Sequence, residues 1–509
     1  MPTTDYDVII IGAGHNGLTA AAYLARAGLR VLSLERRSVL GGATLTDEIF
    51  PGFHFPRYSY AALLLEGKVV RDLDLERHGL RVLTVDPERI HPFPDGRAVR
   101  VWDDDAWVAE EVARISPPDG DAYLRWSTFW ERAARVIHPY ILTDPPTLAE
   151  LMASVQGTDD EPVLESILFG SAYDMLDRFF ASEQVKALFA WSFNDAPLFF
   201  ARLETSRFGD PRYQGILRGG MGSLPRAIEA AARSHGAQFE TSAEVRRVLV
   251  ENGAAIGVEL ADGRQVRAGT VVSNLDPKRS LLDIVDEGHL PPDFRARVRS
   301  LKNMRASIKL HASLSEPPDL SHYFGGEWDL AYLGRVRMCP SLDYVRAGRA
   351  DADAGRLPHH PSMIMQIPSV YDPSMAPEGK HCMSVWVETA AFELADGSWD
   401  DAREQVADLI VDNLSIYAPN IKDAIIERQV VTPLDLVREV GLTNADILHL
   451  DMTPQQFFAS RPLRGWNSYR TPIENYYLCG AGTHPGGYVS GAPGHNAAHA
   501  ILRDMELAS

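Results

Sequence analysis

The apolar positions at the two ends of the chain are laid out alike. After Asp7 comes an unbroken branched run, Val8-Ile9-Ile10-Ile11, which predicts a strand buried on both faces rather than a half-exposed, alternating one. It leads into the turn Gly12-Ala13-Gly14-His15-Asn16-Gly17, a helix of small residues through Ala27, Gly28, and a second strand over 30–34 that closes on Glu35. Near the other end, Tyr476-Tyr477-Leu478-Cys479 runs into Gly480-Ala481-Gly482-Thr483-His484-Pro485-Gly486-Gly487. Gly491, Gly494 and an alanine-rich helix to Met505 come next. Strand, glycine loop and helix are thus expected twice.

Between these ends the periodicity changes several times. Gly219-Gly220-Met221-Gly222 opens a helix through Ala232, and 238–240 begins a strand. Strands over 245–251, 256–260 and 266–272, with an Ala261-Asp262-Gly263 turn, predict a small β layer that ends in Ser273-Asn274. An Asp95-Gly96 turn joins 90–94 to 98–102 as a hairpin. From 122 to 200 apolar residues recur at helical spacing with many aromatics, which read mostly as core and in part as an apolar tunnel or membrane-facing rim. Further strands are expected over 307–314, 363–369 and 382–388, a helix over 400–417, and a loop over 351–360.

Composition adds exclusions. A chain of 509 residues points to at least two domains. A net charge of −19 argues against a nucleic-acid groove and against anionic lipid, leaving only a local apolar patch for peripheral membrane contact. Cys339, Cys382 and Cys479 are far apart and form no CxxC, so neither a dithiol centre nor a metal site is expected. The first strand starts within a few residues of Met1, with no leader pattern, and no apolar stretch approaches a membrane span; the expectation is a cytoplasmic protein.

The first glycine turn has the parts of a dinucleotide fingerprint. Gly12 makes the tight turn, Gly14 lets the backbone approach a pyrophosphate, and Gly17 lets helix and strand pack closely, so the phosphates sit on the positive helix end. Glu35, 18 residues after Gly17, stands where an acid accepts a hydrogen bond from a ribose 2′-hydroxyl and repels a 2′-phosphate. No second intact GxGxxG supplies a separate nicotinamide domain.

The segment after Glu35 is more specific. Arg36-Arg37-Ser38-Val39-Leu40-Gly41-Gly42-Ala43-Thr44 puts a glycine pair just past the acid, and Pro51-Gly52-Phe53-His54-Phe55-Pro56-Arg57-Tyr58-Ser59-Tyr60 comes soon after it. With the second glycine loop, this arrangement resembles the carotenoid/retinoid oxidoreductase (phytoene desaturase-like) flavoproteins, over most of the chain. The resemblance implies an α/β fold: a discontinuous Rossmann-like FAD-binding domain (1–75, 215–285 and 450–509) interleaved with an α+β substrate domain (76–214 and 286–449). It implies FAD held by Gly12, Gly14, His15, Asn16, Gly17, Glu35, Arg36, Gly41, Gly42, Ala43 and Thr44, by Val245 and Asn274 beside the adenosine, and by Gly482, Gly491 and Gly494 over the flavin. The last helix then points its N-terminus at the flavin pyrimidine edge, where reduced flavin carries negative charge.

The implied activity is dehydrogenation of a largely apolar small molecule by hydride transfer to flavin N5, with oxygen or a quinone as acceptor. An amine oxidase on the same scaffold and a flavoprotein with a regulatory, partner-binding role stay open as alternatives. Candidate catalytic groups are His484, Arg57 and Tyr60: the histidine is a candidate general base that could equally hold its loop, and Arg57 and Tyr60 are expected to face the cavity, with bracing of their loop as the alternative. Arg461-Pro462 resembles a family element near the cofactor. One departure is Leu450, where many relatives carry glycine after the histidine.

Overall fold

A computed structural model describes residues 5–506; the outermost expected domain limits, 1–4 and 507–509, lie outside these. The branched run forms the strand Tyr6–Ile11 at the centre of a seven-stranded sheet, parallel to Val31–Leu34 on one side (Ile9 opposite Leu32) and to Gln265–Ser273 on the other (Ile9 opposite Val271). Gln238–Glu240 extends one edge. Gln265–Ser273 serves two partners: its first half pairs antiparallel with Ala254–Leu260, its last residues parallel with Tyr476–Leu478. The carboxyl ends of four parallel strands therefore reach one edge, where Gly12, Glu35, Asn274 and Cys479 come directly after them. An open α/β sheet binds its ligands at that edge.

A second seven-stranded sheet runs Ile425–Val431, Ala306–Leu314, His381–Ala390, Met363–Gln366, Val336–Met338, Arg89–Pro92 and Ala98–Val101. All its neighbours are antiparallel except Val336–Met338 with Arg89–Pro92. The period of two divides Ala306–Leu314 cleanly. Ile308, Leu310, Ala312 and Leu314 enter a core closed by the helix Arg403–Ser415, so Ser307, Lys309, His311 and Ser313 go to the other face. The segment from 117 to 204 is helical, with Pro117–Ile137 its longest element and a core built around Trp126, Trp130 and Phe180.

Several expectations need correction. The loop over 351–360 begins inside the helix Leu342–Asp353, whose start is fixed by the Ser341 hydroxyl accepting from Tyr344 N–H at 3.1 Å. The strand expected to 369 stops at Gln366, before Pro368. The hairpin Thr46–Phe50 with Phe53–Pro56, and the strands Val336–Met338 and Ile425–Val431, were not anticipated. No helix among the described residues is long and apolar enough to cross a membrane.

The last helix, Ala492–Asp504, lies on the first, His15–Arg26, so closely that a Cβ on Gly494 would overlap the Asn16 carbonyl. Gly494→Ala is expected to cost about 1–3 kcal/mol as overpacking does. Denaturant unfolding checks this; an unchanged midpoint would contradict the contact.

Candidate functional site

At the carboxyl edge of the parallel sheet a long cavity opens between the two sheets. Its floor is Gly12, Gly14, His15 and Asn16; Glu35, Glu244 and Val245 line one part, and Tyr60, Lys309, Trp386 and Tyr488 another. Glu35 is buried, and its carboxylate is set by two backbone donors: Ala13 N–H to Oε2 and Arg37 N–H to Oε1, each at 3.0 Å. Each oxygen keeps acceptor capacity for a further donor. Asn274 ties the neighbouring strand end to the first turn, donating from Nδ2 to the Gly12 carbonyl at 3.2 Å.

The lining fits a flavin dinucleotide in two respects. Glycines clear the path: a Cβ on Gly42 would lie 3.1 Å from the Gly14 Cα, and one on Gly14 2.9 Å from Asn274 Nδ2. Polar atoms are also left over. His15 Nε2, Asn16 Oδ1, Arg37 Nη1, Ser59 Oγ and His449 Nδ1 are buried without partners, all on residues that line the cavity. So many orphaned groups in one wall are what a polar ligand would satisfy. Burial holds both histidines neutral, each pulled down to about 4.

Not every expected residue lies on this wall. His15, Asn16, Arg36, Gly42, Ala43, Thr44, Val245 and Asn274 do, alongside Gly12, Gly14 and Glu35. Arg36 turns its guanidinium onto the carbonyls of Arg438 and Glu439, at 3.1 and 2.9 Å. Gly17, Gly41, Gly482, Gly491 and Gly494 serve as spacers instead. Gly17 faces the Gly12 carbonyl, Gly482 faces Pro277, and Gly491 (φ +77°) faces Val69 and Thr19.

Two candidate catalytic residues need a different reading. His484 is fully buried outside the cavity wall, its Nε2 2.7 Å from the Tyr140 carbonyl, and burial drives it down to about 3. Arg57 is turned away onto Glu439, with Nε and Nη2 each donating at 3.0 Å, and Tyr58 donates to the same carboxylate. Both residues hold loops. Tyr60 alone of the three faces the cavity, 5.6 Å from the Trp386 ring. Arg461 is buried and spans two loops: it donates to the carbonyls of Leu448, Leu450, Asp451 and Gln456 on one side and Ala481 and Thr483 on the other. Leu450 packs into the core beneath the parallel sheet rather than into the cavity.

Sequence reasoning missed Lys309. It reaches the cavity beside Tyr60 and Trp386, donates to the Pro56 carbonyl at 2.9 Å, and faces no carboxylate within ion-pair reach. Burial alone lowers it to about 7. A lysine on the polar face of a strand whose alternation buries its other face was the available signal. Beyond Tyr60, Ala61, Leu63 and Tyr488, which line both spaces, lies a second cavity of about 550 Å³.

Comparison with known proteins places this geometry. Residues 147–502 match the model of the flavin containing amine oxidoreductases, and residues 10–73 that of an NAD(P)-binding Rossmann-like domain. The chain is 31% identical to the rat (Rattus norvegicus) pyridine nucleotide-disulfide oxidoreductase domain-containing protein 2, over 99% of this chain and 94% of that protein. It is 26% identical to a lycopene-forming phytoene desaturase of Pseudescherichia vulneris, over 98% and 99%. Cyclohexylamine oxidase from Brevibacterium oxydans IH-35A shares the fold with a TM-score of 0.61 at 17% identity, covering 99% of this chain and all of that one.

Removing the Glu35 carboxylate takes away a charged acceptor worth about 1.5–3 kcal/mol. Glu35→Ala is expected to weaken FAD retention at least tenfold, read as flavin fluorescence released on dilution; retention equal to the parent protein would contradict the role.

Proposed function

Since the chain belongs to the flavin containing amine oxidoreductase family and is an FAD-dependent oxidoreductase, we propose that it dehydrogenates a largely apolar small molecule. The observation that carries this reading is the second cavity, walled by Trp126, Trp130, Phe189 and Trp191, which meets the cofactor cavity at Tyr60 and Tyr488. The phytoene desaturase relative supports it, being named for desaturation of a hydrocarbon. When bound, FAD supplies the hydride acceptor at N5.

The chain's own residues do the rest. The glycine floor, Glu35, Val245 and Asn274 hold the dinucleotide. The aromatic walls exclude water and position the substrate. Lys309 is the group that takes the proton: burial lowers its basicity so that above about pH 7 the amine is neutral and keeps a lone pair while it donates to Pro56. The proposed division of labour gives the cofactor to the segments 1–75, 215–285 and 450–509 and the substrate to 76–214 and 286–449; that each of the two large sheets draws its strands from one set supports it. A cytoplasmic location is part of the proposal, supported by three buried cysteines that are all unpaired.

Anaerobic mixing of the FAD-loaded protein with a panel of polyenes and isoprenoids is expected to bleach the flavin absorbance. Bleaching by amines alone, with peroxide released in air, would contradict desaturation and indicate an amine oxidase.

The proton role has its own signature. With its value lowered to about 7, Lys309 is a competent acceptor above that pH and is protonated below it, so the reduction rate rises with pH to a plateau past 7. Lys309→Met is expected to lower the rate by about a hundredfold or more and remove this limb, as loss of a general base does. Stopped-flow reduction from pH 5.5 to 9 checks both. A pH limb that persists in the variant would sink the assignment.

A further inference from the structure

The inner end of the second cavity carries a charge that a hydrocarbon would not use. Arg89 and Arg335 stand side by side there, because the strand Arg89–Pro92 pairs with Val336–Met338 and Ile90 N–H donates to the Arg335 carbonyl at 2.9 Å. Both guanidiniums share one carboxylate, Glu88: Arg89 Nη1 lies 3.0 and 2.9 Å from its two oxygens, and Arg335 Nη1 2.5 Å from Oε1. Two cations against one anion leave an excess positive charge.

Some of their hydrogen-bonding capacity is also unspent. Arg335 is 5% exposed and its Nε has no partner; Arg89 Nε and Gln366 Oε1 are likewise buried and unpaired. All three residues line the cavity. Arg337, two residues along the same segment, shows the contrast: it is matched one to one by Glu388 at 2.9 Å and lies outside the cavity wall.

Position gives this excess its meaning. The Arg335 guanidinium is 6.0 Å from the Tyr60 ring, and Tyr60 is where the two cavities meet. Elsewhere on the same wall Arg207 is shared by Glu204 and Asp105, at 2.6 and 3.1 Å, and Asp103 adds a carboxylate that lies in the field of both Glu88 and Arg207. An anionic group is therefore favoured beside Arg89 and Arg335, where two guanidiniums share Glu88, and disfavoured beside the unshared carboxylates of the wall. Trp102, Trp126, Trp130, Phe189 and Phe200 give the cavity an apolar lining.

We infer that the substrate is an amphipathic organic acid, with a carboxylate held by Arg335 and Arg89 beside the reaction centre and an apolar body along the aromatic wall. The inference rests on the proposed dehydrogenase function and narrows its substrate from largely apolar small molecules at large to those that end in a carboxylate. A carboxylate satisfies both arginine Nε–H donors and neutralises the extra charge; an alcohol does the first in part and the second not at all. An amine would add a third cation to the pair.

The test uses the FAD-loaded, full-length protein titrated with decanoate, decan-1-ol and decylamine, with perturbation of the flavin absorption spectrum as the readout. Decanoate is expected to bind at least tenfold more tightly than either partner, and Arg335→Gln to erase that preference. Arg89→Gln, at the more exposed member of the pair, reports the same loss if the Arg335 variant does not fold. Equal binding of decanol, tighter binding of decylamine, binding of none of the three, or a preference that survives in a folded arginine variant would each overturn the inference. In all these cases yellow protein leaves the flavoenzyme reading standing, whereas a colourless protein overturns both.

Discussion

The architecture depends on two places where backbone must touch backbone. At Gly17 the first helix crosses the turn that begins at Gly12, and at Gly494 the last helix crosses the first at the Asn16 carbonyl. A single methyl group at either place would push these elements apart. Because the second contact joins residues from opposite ends of the chain, it accompanies the placement of the strand Tyr6–Ile11 and the strand Tyr476–Leu478 in one parallel sheet, separated only by Gln265–Ser273. The turns after these strands then share an edge, which is where helix dipoles and backbone donors are available to a dinucleotide. Arg461 fixes the other half of this arrangement, its guanidinium bonding six carbonyls on two loops in place of a carboxylate.

Electrostatics then divides the interior into unlike regions. Glu35 stays ready as an acceptor because backbone N–H groups, not a cation, hold it. Lys309 has a carbonyl for a partner and loses much of its basicity to burial. Arg337 and Glu388 cancel each other in the dry core, while Arg89 and Arg335 outnumber Glu88 where the cavity is open. The same side-chain types thus meet unlike surroundings, and the clasp, proton-acceptor and anion-site roles proposed for Glu35, Lys309 and the Arg89–Arg335 pair follow from them.

Much of this was legible from residues close in sequence. The run Val8 to Ile11, the spacing from Gly17 to Glu35 and the glycines around Gly42 carry their geometry locally. The hairpin at Asp95-Gly96 and the strand around Lys309 were legible for the same reason. The rest depends on contacts distant in the chain. That His484 packs against Tyr140, and Arg57 against Glu439, comes from folding across more than 300 residues, which no local pattern encodes. The glycines at 482, 491 and 494 signalled closeness correctly, but closeness to Pro277, Val69 and Asn16 rather than to the cavity. Lys309 and Arg335 were ordinary basic residues until the second sheet turned them inward.

In the proposed arrangement both chain ends build one FAD site, with its ribose end at Glu35 and its reactive end at Lys309 and Tyr60. A crystal structure of the protein with FAD is the decisive measurement. Adenosine ribose hydroxyls are expected within hydrogen-bonding distance of the Glu35 carboxylate, diphosphate over Gly12 to Asn16, and the isoalloxazine ring between Lys309 and Tyr488. Density for the ring at the Glu35 end, or for the dinucleotide outside this cavity, would refute that arrangement.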